Sequence, residues 1–173
     1  CKMVFSMKKY DWYCFDCYCA TFPDKAIVRN HKTKENQIMF DLKKVYPDII
    51  TDITVSGGCS RRRPDGLIQL EDYNIIIEID ENQHKASGYS CENKRLMEIF
   101  PDLGNSPLTV IRFNPDKYAN EKSLFTITKK TGLLRIRDQQ KYDAEIAKLL
   151  KVIDTHTQMI PDREINTILL RYD

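Results

Sequence analysis

The chain of 173 residues lacks the features that mark membrane, secreted and repetitive proteins. No apolar run approaches the roughly 18 residues that a membrane helix needs, and no leader with charged, apolar and small-residue parts opens the chain. We find no internal repeat, low-complexity tract or long linker, and the net charge is only +2. We therefore expect an intracellular protein, of the cytoplasm or nucleus, that is neither secreted nor inserted in a membrane.

The composition is that of an ordinary globular protein, with 42% hydrophobic and 30% charged residues. A chain of this length can bury the hydrophobic core of one domain and still carry a small appendage. The chain begins with Cys1 and not with Met, which suggests a fragment or a processed form whose upstream segment is missing.

Three of the six cysteines lie close together in the stretch WYCFDCYC. Its C-x-x-C pair is half of a zinc site, and free, partly buried thiols are the alternative. We expect residues 1–28 to form a small cysteine-rich segment and residues 29–173 to form the main domain. The candidate ligands of a structural Zn²⁺ are Cys1, Cys14, Cys17 and Cys19.

The first element of the main domain is predicted to be an amphipathic helix over KENQIMFDLKKVY. Thr33 can cap this helix, and Ile38, Met39 and Leu42 share its apolar face. Glu35 falls on the same inward face, where an acidic side chain is unusual.

Further along the chain, strands and helices are predicted to alternate. We expect a short strand over DITVSGGCS, a hairpin of DGLIQL and YNIIIEID, and a helix over YSCENKRLMEIF that Pro101 and Gly104 end. A buried strand over LTVIRF, a long amphipathic helix over QQKYDAEIAKLLKVID and a final edge strand over TILLRY follow. The expected fold class is α/β, with a mixed central β-sheet flanked by helices.

Acidic residues occur in the most apolar strand, YNIIIEID, although burying an unpaired carboxylate costs several kcal/mol. Glu78 and Asp80 point to one face of this strand, and Asp65 begins the other strand of the hairpin. If the strands pair, we expect the carboxylates of Asp65 and Glu78 within about 5 Å of one another. The candidate ligands of a Mg²⁺ or Mn²⁺ ion are Asp65, Glu78 and Asp80. Solvated acids at a surface strand end are the alternative.

The motifs RRPDGLI, IIIEIDENQH, YSCENKR and LTVIRFNPDKY follow one another in an order that resembles a known family. The chain resembles the branch of the PD-(D/E)XK nuclease superfamily that contains the very-short-patch repair endonucleases and the EDxHD homing endonucleases. It is most similar to the versions found in giant viruses, over roughly residues 29 to 118. The resemblance implies a restriction-endonuclease-like fold, hydrolysis of phosphodiester bonds in DNA, and a Mg²⁺ or Mn²⁺ cofactor.

The resemblance also implies roles for five candidate catalytic residues. Asp65 and Glu78 stand at the metal-binding acids of the family, and His84 matches the histidine that acts near the attacking water. Glu35 and Glu92 stand at the acids of two helices, where they would hold His84 or a second ion.

Two positions depart from the pattern of the family. Asp80 stands where the E-x-K motif has lysine, so the electrostatic role of that lysine must fall to His84 or be absent. Glu92, three residues before Arg95, is one methylene longer than the usual aspartate, which puts its direct catalytic contact in question.

Basic residues are clustered near these acids, and for each cluster a solvated surface is the simpler reading. Several clusters around one acidic strand nevertheless favour a polyanionic ligand, because phosphate neutralisation depends on local charge. The candidate DNA-binding residues are Arg61, Arg62, Arg63, Lys94 and Arg95.

Three functions remain open at this point. The favoured one is a Mg²⁺-dependent DNA endonuclease that contains Asp65, Glu78 and His84 in its active site. The second is a non-catalytic DNA-binding module that keeps the nuclease fold, although binding alone gives no reason to place acids beside phosphate. The third is a structural or interaction protein in which the motifs occur by chance.

Overall fold

The structure is a computed structural model that describes residues 8–51, 54, 60, 62–81 and 89–173, without the side chains of residues 89–93. Contacts between residues divide the chain into two compact units. The smaller unit contains the residues up to Thr33 together with Thr126–Arg135, and the larger contains Lys34–Phe125 and Ile136–Asp173.

The smaller unit is built from short elements and aromatic side chains. A 3₁₀ turn at Lys8–Tyr10 precedes helices α1 (Phe15–Thr21) and α2 (Ala26–Arg29). The side chain of Asn30 donates to the Gly132 carbonyl and accepts from the Leu134 N–H, each at 2.8 Å, so it joins two distant parts of this unit. Rings in contact with one another belong to Tyr10, Tyr13, Phe15, Tyr18, Phe22 and His31.

The larger unit contains a four-stranded mixed sheet. Its strands are β1 (Gly66–Gln69), β2 (Asn74–Ile79), β3 (Leu108–Phe113) and β6 (Ile165–Leu170), in the spatial order β1-β2-β3-β6. The pair β1–β2 is antiparallel, whereas β2–β3 and β3–β6 are parallel. The predicted hairpin, the mixed sheet and the final edge strand are therefore confirmed. Strands β4 (Phe125–Ile127) and β5 (Leu134–Ile136), which the sequence did not predict, form a separate two-stranded sheet.

Strand β2 lies between two neighbours, and all six of its residues are buried. Its run of isoleucines suits this position, because β-branched side chains pack well on both faces of a covered parallel strand. The strand predicted over DITVSGGCS lies mostly outside the described residues, although Ile50 forms a single bridge with Leu67 of β1.

Helix α4 (Tyr89–Asp102) connects β2 to β3 and covers one face of the sheet. The sequence predicted an end at Phe100, before Pro101, whereas the helix includes Pro101 and ends two residues later, at Asp102. Gly104 has a φ of 72° and follows the helix, where a residue without a side chain tolerates the left-handed conformation. The core between α4 and the sheet contains Leu67, Ile76, Ile99, Leu103, Leu108 and Val110.

Helix α3 (Thr33–Lys43) buries Ile38, Met39 and Leu42, as its apolar spacing predicted. The expected cap by Thr33 is wrong. Thr33 is already helical, and its hydroxyl donates to the Arg29 carbonyl at 3.0 Å.

The long predicted helix near the C-terminus is α5 (Gln139–Thr157). Asp138 caps it by accepting from the Lys141 N–H at 3.0 Å, and the Tyr142 hydroxyl binds Asp41 of α3 at 2.8 Å. These contacts fix α5 against α3. No helix in the described part of the chain is both long and apolar enough to span a bilayer.

Candidate active site

Glu78 is the acid that the fold buries most completely at this site. It lies on β2 between Ile77 and Ile79, and only 7% of its surface is exposed. Alternation along the strand turns its side chain to the face that α4 covers. There its Oε2 forms an ion pair of 2.9 Å with a terminal nitrogen of Arg95 on α4.

The protonation of Glu78 reflects this buried position. Burial is the main reason why the pKa of the Glu78 carboxyl rises to about 8. The Arg95 guanidinium opposes the rise, and the negative charges of Asp65 and Asp80 add to it. Near neutral pH the site therefore holds Glu78 largely as the neutral acid until a further positive charge arrives.

One oxygen of Glu78 is available for a further partner. Its Oε1 is buried and has no hydrogen-bond partner among the residues that the structure describes. A buried acceptor without a partner costs about 1–3 kcal/mol, so a cation or donor at this place would stabilise the protein. The small pocket at this point is lined by Glu78, Arg95, Leu96, Val110 and Arg112.

Asp65 lies at the start of β1. The pairing of Gly66 with Ile77 places Asp65 opposite Glu78 when the register is continued by one residue, so both acids share one face. Oδ2 of Asp65 accepts the Ile79 N–H at 2.8 Å, which fixes the carboxylate beside β2.

Close packing explains why glycine follows Asp65 in the chain. A Cβ added at Gly66 would lie 2.6 Å from Cε of Met39 and 3.2 Å from Cγ2 of Ile49. The aliphatic core thus approaches the backbone directly beside Asp65, and the P-D-G sequence allows the first residue of β1 to be buried there.

Asp80 makes a network that sequence reasoning did not predict. Arg112 of β3 donates to it twice, from Nε to Oδ2 at 2.9 Å and from a terminal nitrogen to Oδ1 at 2.6 Å. The Tyr172 hydroxyl also donates to Oδ2 of Asp80. Both oxygens of Asp80 are thus engaged with side chains, and its role as a metal ligand stays a prediction.

Of the two partners of Asp80, only Arg112 could have been predicted from the sequence. Arg112 is the single charged residue in the apolar strand LTVIRF, just as Glu78 is in β2, and the register pairs the two residues. Tyr172 carried no comparable signal, because it follows a different strand sixty residues later.

Glu35 is the candidate acid on helix α3. Glu35 is half-buried, and its backbone N–H donates to Oε1 of Glu81 at 2.9 Å. Glu81 therefore caps α3, in the role expected of Thr33. His84 and the side chain of Glu92 lie outside the described residues.

The candidate DNA-binding residues differ in how they are engaged. Lys94 and Arg63 are exposed, and Arg62 pairs with Glu98 at 2.6 Å. Arg95 is committed to Glu78 and to the Arg63 carbonyl, to which it donates at 2.7 Å. Arg61 lies outside the described residues.

Two carboxylates at this site fit a hard divalent cation. Mg²⁺ takes one or two carboxylates and retains several waters. Glu78 offers an oxygen without a partner in the described part of the chain, and Asp65 lies on the same face. Throughout residues 8–51, 62–81 and 94–173, no group of three or more His, Cys, Asp or Glu side chains is placed to hold a metal. The fit therefore rests on these two acids.

The cysteine pair lies at the start of α1. Sγ of Cys14 caps the helix by accepting the Cys17 N–H at 3.4 Å, and this bond lowers the pKa of the Cys14 thiol. The hydrogen bond to Cys14 raises the pKa of the Cys17 thiol. Cys19 is half-buried, and Cys1 lies outside the described residues, so the zinc site stays a prediction.

Comparisons of this chain with protein families, with curated proteins and with solved structures find no match.

Proposed function

We propose that the protein is a metal-dependent DNA endonuclease of the PD-(D/E)XK type, which hydrolyses phosphodiester bonds. The observation that carries this proposal is the buried Oε1 of Glu78, which has no hydrogen-bond partner among the described residues, with Asp65 on the same face of the hairpin. A protein gains nothing in stability from such an acid, so a function that needs it is the better explanation.

Asp65, Glu78 and the backbone carbonyl of Ile79 would hold the Mg²⁺ or Mn²⁺ ion. When bound, the ion lowers the pKa of a water molecule and offsets the charge that builds up on the phosphate during hydrolysis. Since the pKa of Glu78 is about 8, Glu78 must release its proton when it becomes a ligand. Ion binding should therefore strengthen as the pH rises.

Other residues would handle the proton and the DNA. His84 would take a proton from the attacking water, because histidine is the residue type whose ordinary pKa lies closest to neutrality. Glu35 and Glu92 would orient His84. The exposed Arg63 and Lys94 would contact neighbouring phosphates.

The experiment is cleavage of a supercoiled plasmid with Mg²⁺ or Mn²⁺, by wild type, Glu78→Gln and Asp65→Asn. Wild type should cut, EDTA should stop it, and both variants should lose at least about 100-fold in rate. Glu164→Gln, at an exposed position outside the site, is the matched control and should cut like wild type. A folded wild-type protein that cuts neither single- nor double-stranded DNA with either ion would refute the proposal.

A non-catalytic DNA-binding module is the second candidate, and two ion pairs favour it. Arg95 lies against Glu78, Arg112 pairs with Asp80, and this local balance of charge would let a phosphate approach without a metal. This function predicts a salt-dependent gel shift that EDTA does not change, and no cleavage.

A further inference from the structure

Tyr172, Asp80 and Arg112 form a hydrogen-bonded chain, and Arg112 at its end lines the pocket that contains Glu78. Arg112 and Asp80 bind one another through two parallel hydrogen bonds, and the side chain of each is only 16% exposed. Such a bidentate pair fixes the plane of the guanidinium. The Tyr172 hydroxyl binds the same carboxylate and so restrains Asp80 from a second side.

The position of this chain links it to the candidate active site. Arg112 and Glu78 are Cα partners on adjacent strands, and both line the pocket. Arg95 lines the pocket too, but it comes from α4, is 35% exposed and binds Glu78 itself. Of the two cations that line this pocket, Arg112 is the one that is held by a carboxylate other than Glu78.

We infer that Arg112 is a further catalytic residue of this site, which donates hydrogen bonds to a non-bridging oxygen of the phosphate being cut. This inference rests on the proposed endonuclease function. Asp80 and Tyr172 are positioning residues that hold the guanidinium in place. A donor fixed in advance is effective here, since charge grows on the non-bridging oxygens and no reorganisation is needed when it does.

The role of Arg112 is consistent with the balance of the reaction. The water oxygen forms a bond to phosphorus, the bond from phosphorus to the leaving oxygen breaks, and the proton of the water goes to His84. The leaving oxygen takes a proton from solvent. Arg112 stays protonated throughout, because a guanidinium does not release its proton near neutral pH.

A purely structural ion pair is the competing explanation, and single-turnover kinetics can separate the two. We expect Arg112→Met to cut at least about 100-fold more slowly than wild type at saturating Mg²⁺, while DNA affinity by fluorescence anisotropy changes by less than about threefold. Added guanidinium ion should restore part of the rate, and Arg112→Lys should retain more activity than Arg112→Met. Arg163→Met removes the same charge from an exposed position and serves as the control.

Tyr172→Phe tests the positioning role with a smaller change and keeps the test valid if Arg112→Met does not fold. It should lose about tenfold in rate and lower the melting temperature only slightly, since only one hydroxyl is removed. Wild-type rates for folded Arg112→Lys and Tyr172→Phe would overturn the inference. The inference would also be overturned if Arg112→Lys and Arg112→Met lost equal rate, guanidinium ion did not restore it, and the loss went together with a lowered melting temperature. If wild type itself does not cut, the proposed function fails first, and the role of Arg112 fails with it.

Discussion

The Arg95 guanidinium lies 2.9 Å from Oε2 of Glu78 and also donates to the carbonyl of Arg63 at 2.7 Å. One side chain of α4 thus joins the buried acid of β2 to the residues that lead into Asp65. The two partners differ in exposure, because the side chain of Arg95 is 35% exposed and that of Glu78 only 9%. Arg95 can therefore exchange this contact for a phosphate, whereas Glu78 remains buried in the site.

Replacement of Glu78 by glutamine should stabilise the protein at alkaline pH. The folded pKa of about 8 lies above the ordinary value of 4.5, so the folded state keeps a proton that the unfolded state has released. The stabilising effect of this proton is complete below pH 4.5 and is lost as the pH rises toward 8. Since glutamine mimics the neutral acid, Glu78→Gln should exceed wild type by a few kcal/mol near pH 8.5 and by little near pH 5.

Denaturant unfolding at the two pH values measures this difference. Glu164→Gln, which changes an exposed acid, should follow wild type at both. An advantage of Glu78→Gln that does not grow with pH would show that Glu78 is already ionised in the folded state.

Mg²⁺ should raise the melting temperature of wild type at pH 8, because a ligand that binds only the folded state stabilises it. Asp65→Asn and Glu78→Gln should abolish this shift. Asparagine retains an oxygen that can accept the Ile79 N–H, so Asp65→Asn removes charge with little change of shape. Asp162→Asn, at an exposed position, should keep the wild-type shift. Equal shifts in all four proteins would place the ion elsewhere.

Replacement of Arg95 should raise the pKa of Glu78 further, since the Arg95 charge is the main influence that lowers it. Arg95→Met should therefore destabilise the protein more at pH 8 than at pH 5. The double variant Glu78→Gln with Arg95→Met should show little of this pH dependence, because the titrating acid is gone. A double-mutant cycle measured at both pH values gives the coupling directly, and a coupling that is the same at both would contradict the assignment.

His84 should govern the pH dependence of cleavage at saturating Mg²⁺. If it takes the proton from water, the wild-type rate should rise through a pKa near the ordinary imidazole value of about 6.5. His84→Ala should lose this part of the profile while its DNA affinity stays similar. A profile that survives in His84→Ala would assign the ionisation to another group and leave the nuclease proposal intact.

Protein purified without chelators should contain about one equivalent of zinc if the C-x-x-C pair is part of a metal site. Cys14→Ser with Cys17→Ser should lose the metal and lower the melting temperature, because a small segment depends on such a ligand for stability. Elemental analysis of both proteins measures the difference. Wild type without zinc would favour free thiols, in agreement with the bond from the Cys17 N–H to Sγ of Cys14.

The main sheet was predictable because its strands are strongly patterned. The isoleucine run of β2 indicated burial on both faces, and the apolar periods of α3 and α5 indicated their inward residues. Strands β4 and β5 were missed because each has three residues and neither forms a continuous apolar run. Local sequence is a weak guide at that length.

The site was predictable only where its residues are close in sequence. Asp65 and Glu78 belong to one hairpin, whose register follows from a short connection. The pairing of Asp80 with Arg112 depends on the register of two parallel strands joined through α4, and the contact with Tyr172 depends on β6. The cap of α3 by Glu81 likewise joins residues that are far apart in sequence, so the local choice of Thr33 was wrong.

Because Met39 closely approaches Gly66, substitutions at these two positions should be correlated among related sequences. Because a Cβ at Gly66 would lie 2.6 Å from Cε of Met39, the two positions share one volume. In related chains, alanine or serine at position 66 should accompany a shorter residue at position 39, while Asp65 stays unchanged. The size of the side chain at position 39 on α3 would then vary together with the residue at position 66, whose backbone positions Asp65. Neither of the two positions carries a charge.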